Sequence, residues 1–478
     1  MIPSSVHKTL VLLSCTFLGL ICGTLYLYLS YSPQLAQRLQ YLATNALSIA
    51  LVGSLGVAVS GPMAGLAVDR KGYTGALCAG GSLIVLGYFV LRRQYTHTYL
   101  NVALSCLCLF SVGAGSTLIN LACLKCCAVT FPSLRGVATS LPLALYGLSA
   151  MFYLVVALVF YAGDTAGFLR FLMASVAALF ALCSPCVMLC DRRPCLSGRT
   201  VRLADSIEMV NLRGLSEMKG ALSPCATPTS GPADLHGLAL LRLPRFWLLF
   251  LITGAMASLG QMYIYSVGYM VKALVIRNFD IDAAAATSLS VDMVIQNQQQ
   301  VQVALLSMTN CVGRLVAGVM GDIISQTFRK LRAWLLFVPG VGLVCTQVLG
   351  HAITSHEYLG VASMLSGFFY GYTLCIMPTI VGDAFGIANF SGNWGLVGLA
   401  PVVPSFVLTN LFGKVYDSKS AAGVDGVYTC TLGSRCYSLV FNLSLGVSIL
   451  ALLVVGVLNF GDRYYTSRAL ATKGKLAG

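Results

Sequence analysis

Charge is what this sequence has least of. Only 10% of its 478 residues are Asp, Glu, Lys or Arg, against roughly 25% in an ordinary soluble domain. Too few charged side chains are present to cover a water-facing surface. Acids are the scarcer sign, 16 against 30 bases, leaving a net charge of +14. That excess lies mostly between apolar runs, where it orients a chain in a bilayer. No aromatic and basic platform for single strands accompanies it, which argues against nucleic acid as a partner. Histidine is also sparse, with five scattered copies, and no CxxC pair stands at zinc spacing from a second pair or from histidines, so no metal site is expected. The sequence has no Gly-rich loop ending in Lys-Ser/Thr, no Gly-x-Ser-x-Gly elbow and no His-Glu-x-x-His helix. ATP-driven pumping and the common hydrolases are thereby disfavoured, and neither an enzyme nor a cofactor is expected. No cleavable leader is expected either. The first apolar run, Lys8 to Tyr31, is too long for a signal-peptide core and reads as a signal anchor.

What the chain does have is hydrophobic length. Apolar residues make up 57% of it and come in blocks of about 20 or more, the length that crosses ~30 Å of hydrocarbon. Twelve spans are expected, near residues 8–30, 42–67, 74–92, 101–130, 138–162, 168–190, 246–271, 301–323, 333–353, 358–383, 395–416 and 437–460. They fall as an N-terminal six-helix bundle (1–190), a basic linker (191–245), a C-terminal six-helix bundle (246–460) and a tail (461–478). The linker is Ser/Pro/Thr-rich from Ser223 to Pro232, a composition expected to stay unfolded. Most Lys and Arg fall on the side that holds both termini, so linker, tail and termini are expected to be cytoplasmic. On that topology neither sequon, Asn389-Phe-Ser391 nor Asn442-Leu-Ser444, should be glycosylated. Most of the 18 cysteines sit inside apolar runs and act there as small hydrophobes. Cys430 and Cys436 lie in a polar loop, where a disulfide in an oxidising lumen and two free thiols are both open.

The two halves repeat a motif. The second span ends Gly65-Leu-Ala-Val-Asp69-Arg70-Lys71-Gly72, and the eighth ends Gly318-Val-Met-Gly-Asp322. The shared Gly-x-x-x-Asp at equivalent points of two six-span halves indicates duplication, as in transporters that rock one half against the other. Gly65 lets helices approach closely. Asp69 is expected to accept hydrogen bonds from the N-terminal amides of a nearby helix, where the macrodipole favours an anion. Arg70 is expected to pair with an acid of the neighbouring half. The other reading of these residues is a plain topological anchor.

Six plus six spans, a basic central loop and this motif resemble the major facilitator superfamily over essentially the whole chain, although Tyr73 follows Gly72 where that family's loop goes on with basic residues. A narrower resemblance rests on Phe131-Pro-Ser-Leu-Arg135-Gly136, Tyr146-Gly-Leu-Ser-Ala150, Pro378-Thr-Ile-Val-Gly-Asp383-Ala-Phe-Gly386 and Leu411-Phe-Gly-Lys-Val-Tyr-Asp417. These stretches are similar to the fungal monocarboxylate-transporter-homologue (MCH) proteins and the nodulin-like transporters. The likeness implies the vacuolar membrane.

Arg314 lies mid-span in Asn310-Cys-Val-Gly313-Arg314. A charge there costs at least ~2.5–3.5 kcal/mol in an isolated helix, so it is expected to face an aqueous cavity or a partner. A guanidinium suits a carboxylate or phosphate held in a bidentate fork. The alternative is a structural pair with Asp322 or Asp383. In monocarboxylate transporters an equivalent arginine follows an aspartate by four residues, whereas Asn310 stands here and cannot titrate. The lysine those proteins carry at the outer end of the first span is also missing near Tyr31-Ser-Pro33. Further cavity candidates are Thr24, Tyr26, Ser116, Asn120, Tyr146, Gln261, Tyr265 and Tyr370, about half of which should bond to neighbouring helices instead. Lys125 is expected to snorkel to the cytoplasmic edge. The Gln296–Gln300 run precedes the eighth span and suggests no function.

The expected fold is an all-α polytopic membrane protein, with twelve transmembrane helices forming two six-helix bundles. The expected function is secondary transport of a small organic anion by alternating access. A neutral or zwitterionic solute is the alternative within transporters, and a non-transporting sensor on the same fold is the alternative outside them. The expected partners are the lipid bilayer, a small-molecule solute and protons, with the chain acting as a monomer.

Overall fold

The computed structural model describes residues 4–28, 31, 35, 38–39, 41, 43–161, 164–191, 237–281, 288–328, 330–422 and 428–476. They form thirteen α-helices: α1 (Ser4–Cys22), α2 (Ala43–Lys71), α3 (Tyr73–Thr96), α4 (Val102–Thr130), α5 (Arg135–Phe160), α6 (Thr165–Asp191), α7 (Pro244–Ile281), α8 (Ser288–Gln326), α9 (Phe337–Ala352), α10 (Leu359–Phe385), α11 (Phe390–Val397), α12 (Val402–Ser418) and α13 (Ser438–Leu476). Twelve segments are long and apolar enough to cross a membrane, and each matches an expected span. Helix is the form such runs must take, because lipid offers no partner to a free backbone N–H or C=O. Large apolar side chains such as Leu107, Leu182 and Leu453 stand exposed, as a lipid-facing surface requires.

Several boundaries differ from expectation, among them α7, which runs on to Ile281, and two others. Helix α8 begins at Ser288 and not near 301, so the glutamine run lies inside it. Glutamine is a good helix former, and Gln299 Nε2 ties the run to α7 by donating to the Gly268 carbonyl at 3.2 Å. The eleventh span starts at Phe390 and is broken. Its first piece is α11, and after a turn Pro401 caps α12, as suits a residue that cannot continue a helix from within. Between α12 and α13, two short strands pair antiparallel, β1 (Ala421–Ala422) with β2 (Tyr428–Thr429). A Cys430–Cys436 disulfide follows. The tail at 461–478 continues α13 as far as Leu476. Most of the expected linker, residues 192–236, lies outside the described residues.

The described chain packs as two compact units. The first comprises residues 1–142, 161–242 and 379–396; the second comprises 143–160, 243–378 and 397–478. Sequence halves and compact units therefore do not coincide, and each unit draws on both halves. Two of the boundaries fall beside prolines inside helices, Pro142 of α5 and Pro378 of α10. In the first unit the core includes Cys15, Leu18 and Ile21 of α1 with Cys123, Leu124 and Cys127 of α4. In the second, Met256 and Tyr263 of α7 and Phe441 and Val455 of α13 are fully buried. The Tyr263 hydroxyl and Ser363 Oγ share a hydrogen bond of 2.9 Å there.

Candidate substrate site and gate

Arg314 is 3% exposed, deep in the second unit. Its Nε donates to Asn310 Oδ1 one turn back on α8, at 2.7 Å. One Nη donates to the Leu143 carbonyl of α5, also at 2.7 Å. The guanidinium carbon stands 5.4 Å from the centre of the Tyr146 ring, within cation–π range. Gly147 makes this seat possible, because a Cβ there would meet Asn310 Oδ1 at 2.8 Å. On the opposite side α8 touches α10 backbone to backbone, since a Cβ on Gly371 would run into the Asn310 carbonyl and one on Gly313 into that of Phe368. The arginine is thus held on a helix wedged between two others. Two of its five donors are used by Asn310 and Leu143, which leaves three, and none of its nitrogens is sealed without a partner.

Of the two acids considered for Arg314, Asp322 and Asp383, the first is engaged elsewhere. Asp322 is held by Arg332 at 3.1 Å, and Arg332 Nε also donates to the Gly321 carbonyl at 3.1 Å. The described partners of Arg314 are all neutral: an amide, a backbone carbonyl and a phenol ring. The sequence singled out Arg314, Asn310 and Tyr146 separately, and the fold brings them together. It gave no sign of the Leu143 carbonyl. Gly147 sat in view within the Tyr146-Gly pair, with nothing to mark its role.

The remaining candidates scatter. Gln261 of α7 accepts a short hydrogen bond from Ser405 Oγ of α12, so its carbonyl serves helix packing. Tyr370 of α10 lies against Gly260, at the level of Gln261, with Tyr265 one turn further along α7. Asn120 belongs to the other unit, and its Oδ1 is buried without a partner. Ser116 Oγ donates to the Cys22 carbonyl at 2.6 Å, and Thr24 Oγ1 to that of Ile21 at 2.8 Å; both hydroxyls are spent on backbone.

The Gly-x-x-x-Asp motif of α2 is built as its helix chemistry suggests, with one change. Gly65 of α2 sits against Ser391 and Gly392 of α11 so closely that no Cβ fits. This approach carries Asp69 to the N-terminus of α11, where it accepts from Ser391 N at 3.3 Å and from Gly392 N at 2.6 Å. Gly72, at φ 81°, ends α2 in a conformation that favours glycine. Beside it the Asp191 carboxylate caps α3, accepting from Tyr73 N at 2.9 Å and Thr74 N at 2.6 Å. The change is the cation. Arg70 is exposed, while Lys125 of α4 reaches Asp69 at 2.6 Å and donates to the Ala388 carbonyl at 3.0 Å. Lys125 therefore does not snorkel as a topology charge: the Asp69 carboxylate and a free carbonyl at the α10–α11 turn offer it a better site. In the second unit Gly318 is buried on α8, one turn before the Asp322 that binds Arg332.

Comparison with known proteins agrees with this architecture. Residues 8–212 match the Nodulin-like family. The uncharacterized membrane protein YMR155W of Saccharomyces cerevisiae is 25% identical over 94% of both chains. The probable transporter MCH1 of Wickerhamomyces anomalus is 24% identical over 91% of this chain and 84% of its own. Among solved structures, the fucose:proton symporter FucP of E. coli superposes with a TM-score of 0.55 at 15% identity, covering 94% of this chain and 99% of that one. The chain is a multi-pass membrane transporter with the major facilitator fold, similar to the Nodulin-like and MCH proteins.

Proposed function

We propose that the chain carries a small organic anion across its membrane by alternating access, with Arg314 as the anchor for the anion. The observation behind this is a buried guanidinium whose described partners are neutral. A cation in such a place seeks a negative ligand, and its planar fork matches a carboxylate or phosphate. Solute recognition would rest on Arg314, with Asn310 and Tyr146 holding it and the Gln261 amide nitrogen, Tyr265 and Tyr370 supplying further polar surface. The moving bodies would be the sequence halves, residues 1–190 and 246–460. The Asp69 and Asp322 motifs would latch one face shut until the solute is loaded.

Orientation has its own support. The Cys430–Cys436 disulfide lies in the loop between the last two spans. A stable disulfide belongs in an oxidising compartment, which would put the C-terminus across the membrane, in the cytoplasm. Basic residues flanking the spans favour the same topology. A vacuolar address rests on the MCH likeness alone.

The test is ligand stabilisation of the purified chain. A ligand at 100 times its Kd adds ~2.7 kcal/mol to stability, which a thermal shift resolves. Carboxylates or phosphates should stabilise the parent and fail on Arg314→Ala. Equal stabilisation of both proteins, or stabilisation by neutral or zwitterionic solutes alone, overturns the anion reading.

A further inference from the structure

We infer that the chain is an exchanger of monovalent anions, and that the charge of Arg314 is what holds the empty carrier back. The inference rests on the anion reading above and adds the charge state of the ligand and the coupling of the cycle.

The count of charges at the site carries it. Arg314 contributes one positive charge at 3% exposure. Asn310 Oδ1 and the Leu143 carbonyl accept from it and Tyr146 faces it, and none of them offsets that charge. The nearest acid on the same helix, Asp322, lies eight residues on, about 12 Å along the axis, and Arg332 neutralises it. Among the described residues, Tyr146 of α5 faces the guanidinium, Cys311 of α8 and Cys375 of α10 feel its charge, and Cys375 also feels Asp322; phenols and thiols ordinarily titrate above neutrality. With the described contacts alone, the unloaded site is therefore positive. It becomes neutral with a monocarboxylate and negative with a dianion.

Alternating access takes the site through a state closed to both faces. An unbalanced guanidinium in such a state is strongly disfavoured, and a guanidinium paired with a carboxylate much less so. The loaded carrier crosses; the empty one waits. A carrier that returns only when loaded swaps one anion for another. Among the described contacts of Arg314 there is no carboxyl to hand over a proton near neutral pH, because the side chain bonded to it is an amide.

The experiment uses the full chain in proteoliposomes, with radiolabelled lactate and gluconate as monoanions and succinate as a dianion. Vesicles hold either the same unlabelled anion or buffer alone. Monoanion uptake should be at least about tenfold faster into preloaded vesicles and equal at about pH 6 and pH 8. Succinate should lag behind. Asn310→Asp supplies an internal counter-charge, so the preloading advantage should fall towards one and uptake should rise on acidification, as the new carboxyl protonates. Equal uptake into loaded and empty vesicles overturns the exchange, as does pH-dependent uptake by the parent. Faster succinate than monoanion uptake overturns the charge assignment. If Arg314→Ala carries the anions as the parent does, or no anion enters the parent vesicles, the anion reading itself falls.

Discussion

Neutralising Asp69 alone should destabilise the protein more than removing the whole Asp69–Lys125 pair. The pair is buried, with side chains 4% and 12% exposed and 2.6 Å between them. Asp69→Asn keeps a carbonyl to accept from Gly392 N but strands the Lys125 ammonium, with the Ala388 carbonyl as its remaining contact. Breaking a buried pair on one side costs ~3–5 kcal/mol; the slight exposure and flexible stem of the lysine lower this to about 2–3 kcal/mol. Lys125→Met leaves a carboxylate still served by two α11 amides, at about 1–2 kcal/mol. The double variant contains neither charge and keeps the amide cap, so about 1 kcal/mol is expected. The coupling then amounts to roughly 2 kcal/mol or more. Thermal unfolding of the four detergent-purified proteins measures it, and the double variant should melt above Asp69→Asn. Additive losses would refute the reasoning, because they would mean that Lys125 and Asp69 do not depend on each other.

Two further outcomes follow from the close contacts and from the loop. Gly371→Leu should abolish a folded, monodisperse product, since its side chain would occupy the Asn310 carbonyl and force α8 off α10 at the arginine; a normal gel-filtration profile counts against that packing. Cys430→Ser should cost about 2 kcal/mol, the chain-entropy value for a loop this short. In the parent, a membrane-impermeant maleimide should label neither cysteine before reduction, and labelling without reductant would show the thiols to be free.

Much of this architecture was legible from single segments. A run of about 20 apolar residues specifies a span by itself, and all twelve were placed on that ground. Asp69 as a helix cap was legible from general helix electrostatics, without knowledge of which helix it serves. Pairings are another matter, because they belong to two segments at once. Lys125 lies 56 positions from Asp69, and nothing in its own helix distinguishes a snorkelling lysine from a paired one. Arg332 took Asp322 through a turn after α8 that the sequence does not announce. The start of α8 was misplaced because glutamine is too polar for a span but well suited to helix, and run length sees only polarity. Arg314 was legible as costly; the neutrality of its surroundings was not.

Helix α8 is 39 residues long and contains no proline. At 1.5 Å per residue it measures about 58 Å, nearly twice the ~30 Å of hydrocarbon it must cross. It is therefore a lever as well as a wall. Arg314 sits nearer one end, and Met293, 65% exposed, lies about 32 Å away along the same unbroken rod. A tilt of about 5° pivoting at the arginine would swing that methionine through about 3 Å. A spin label at position 293 would then read out what happens around the guanidinium from outside, without touching it.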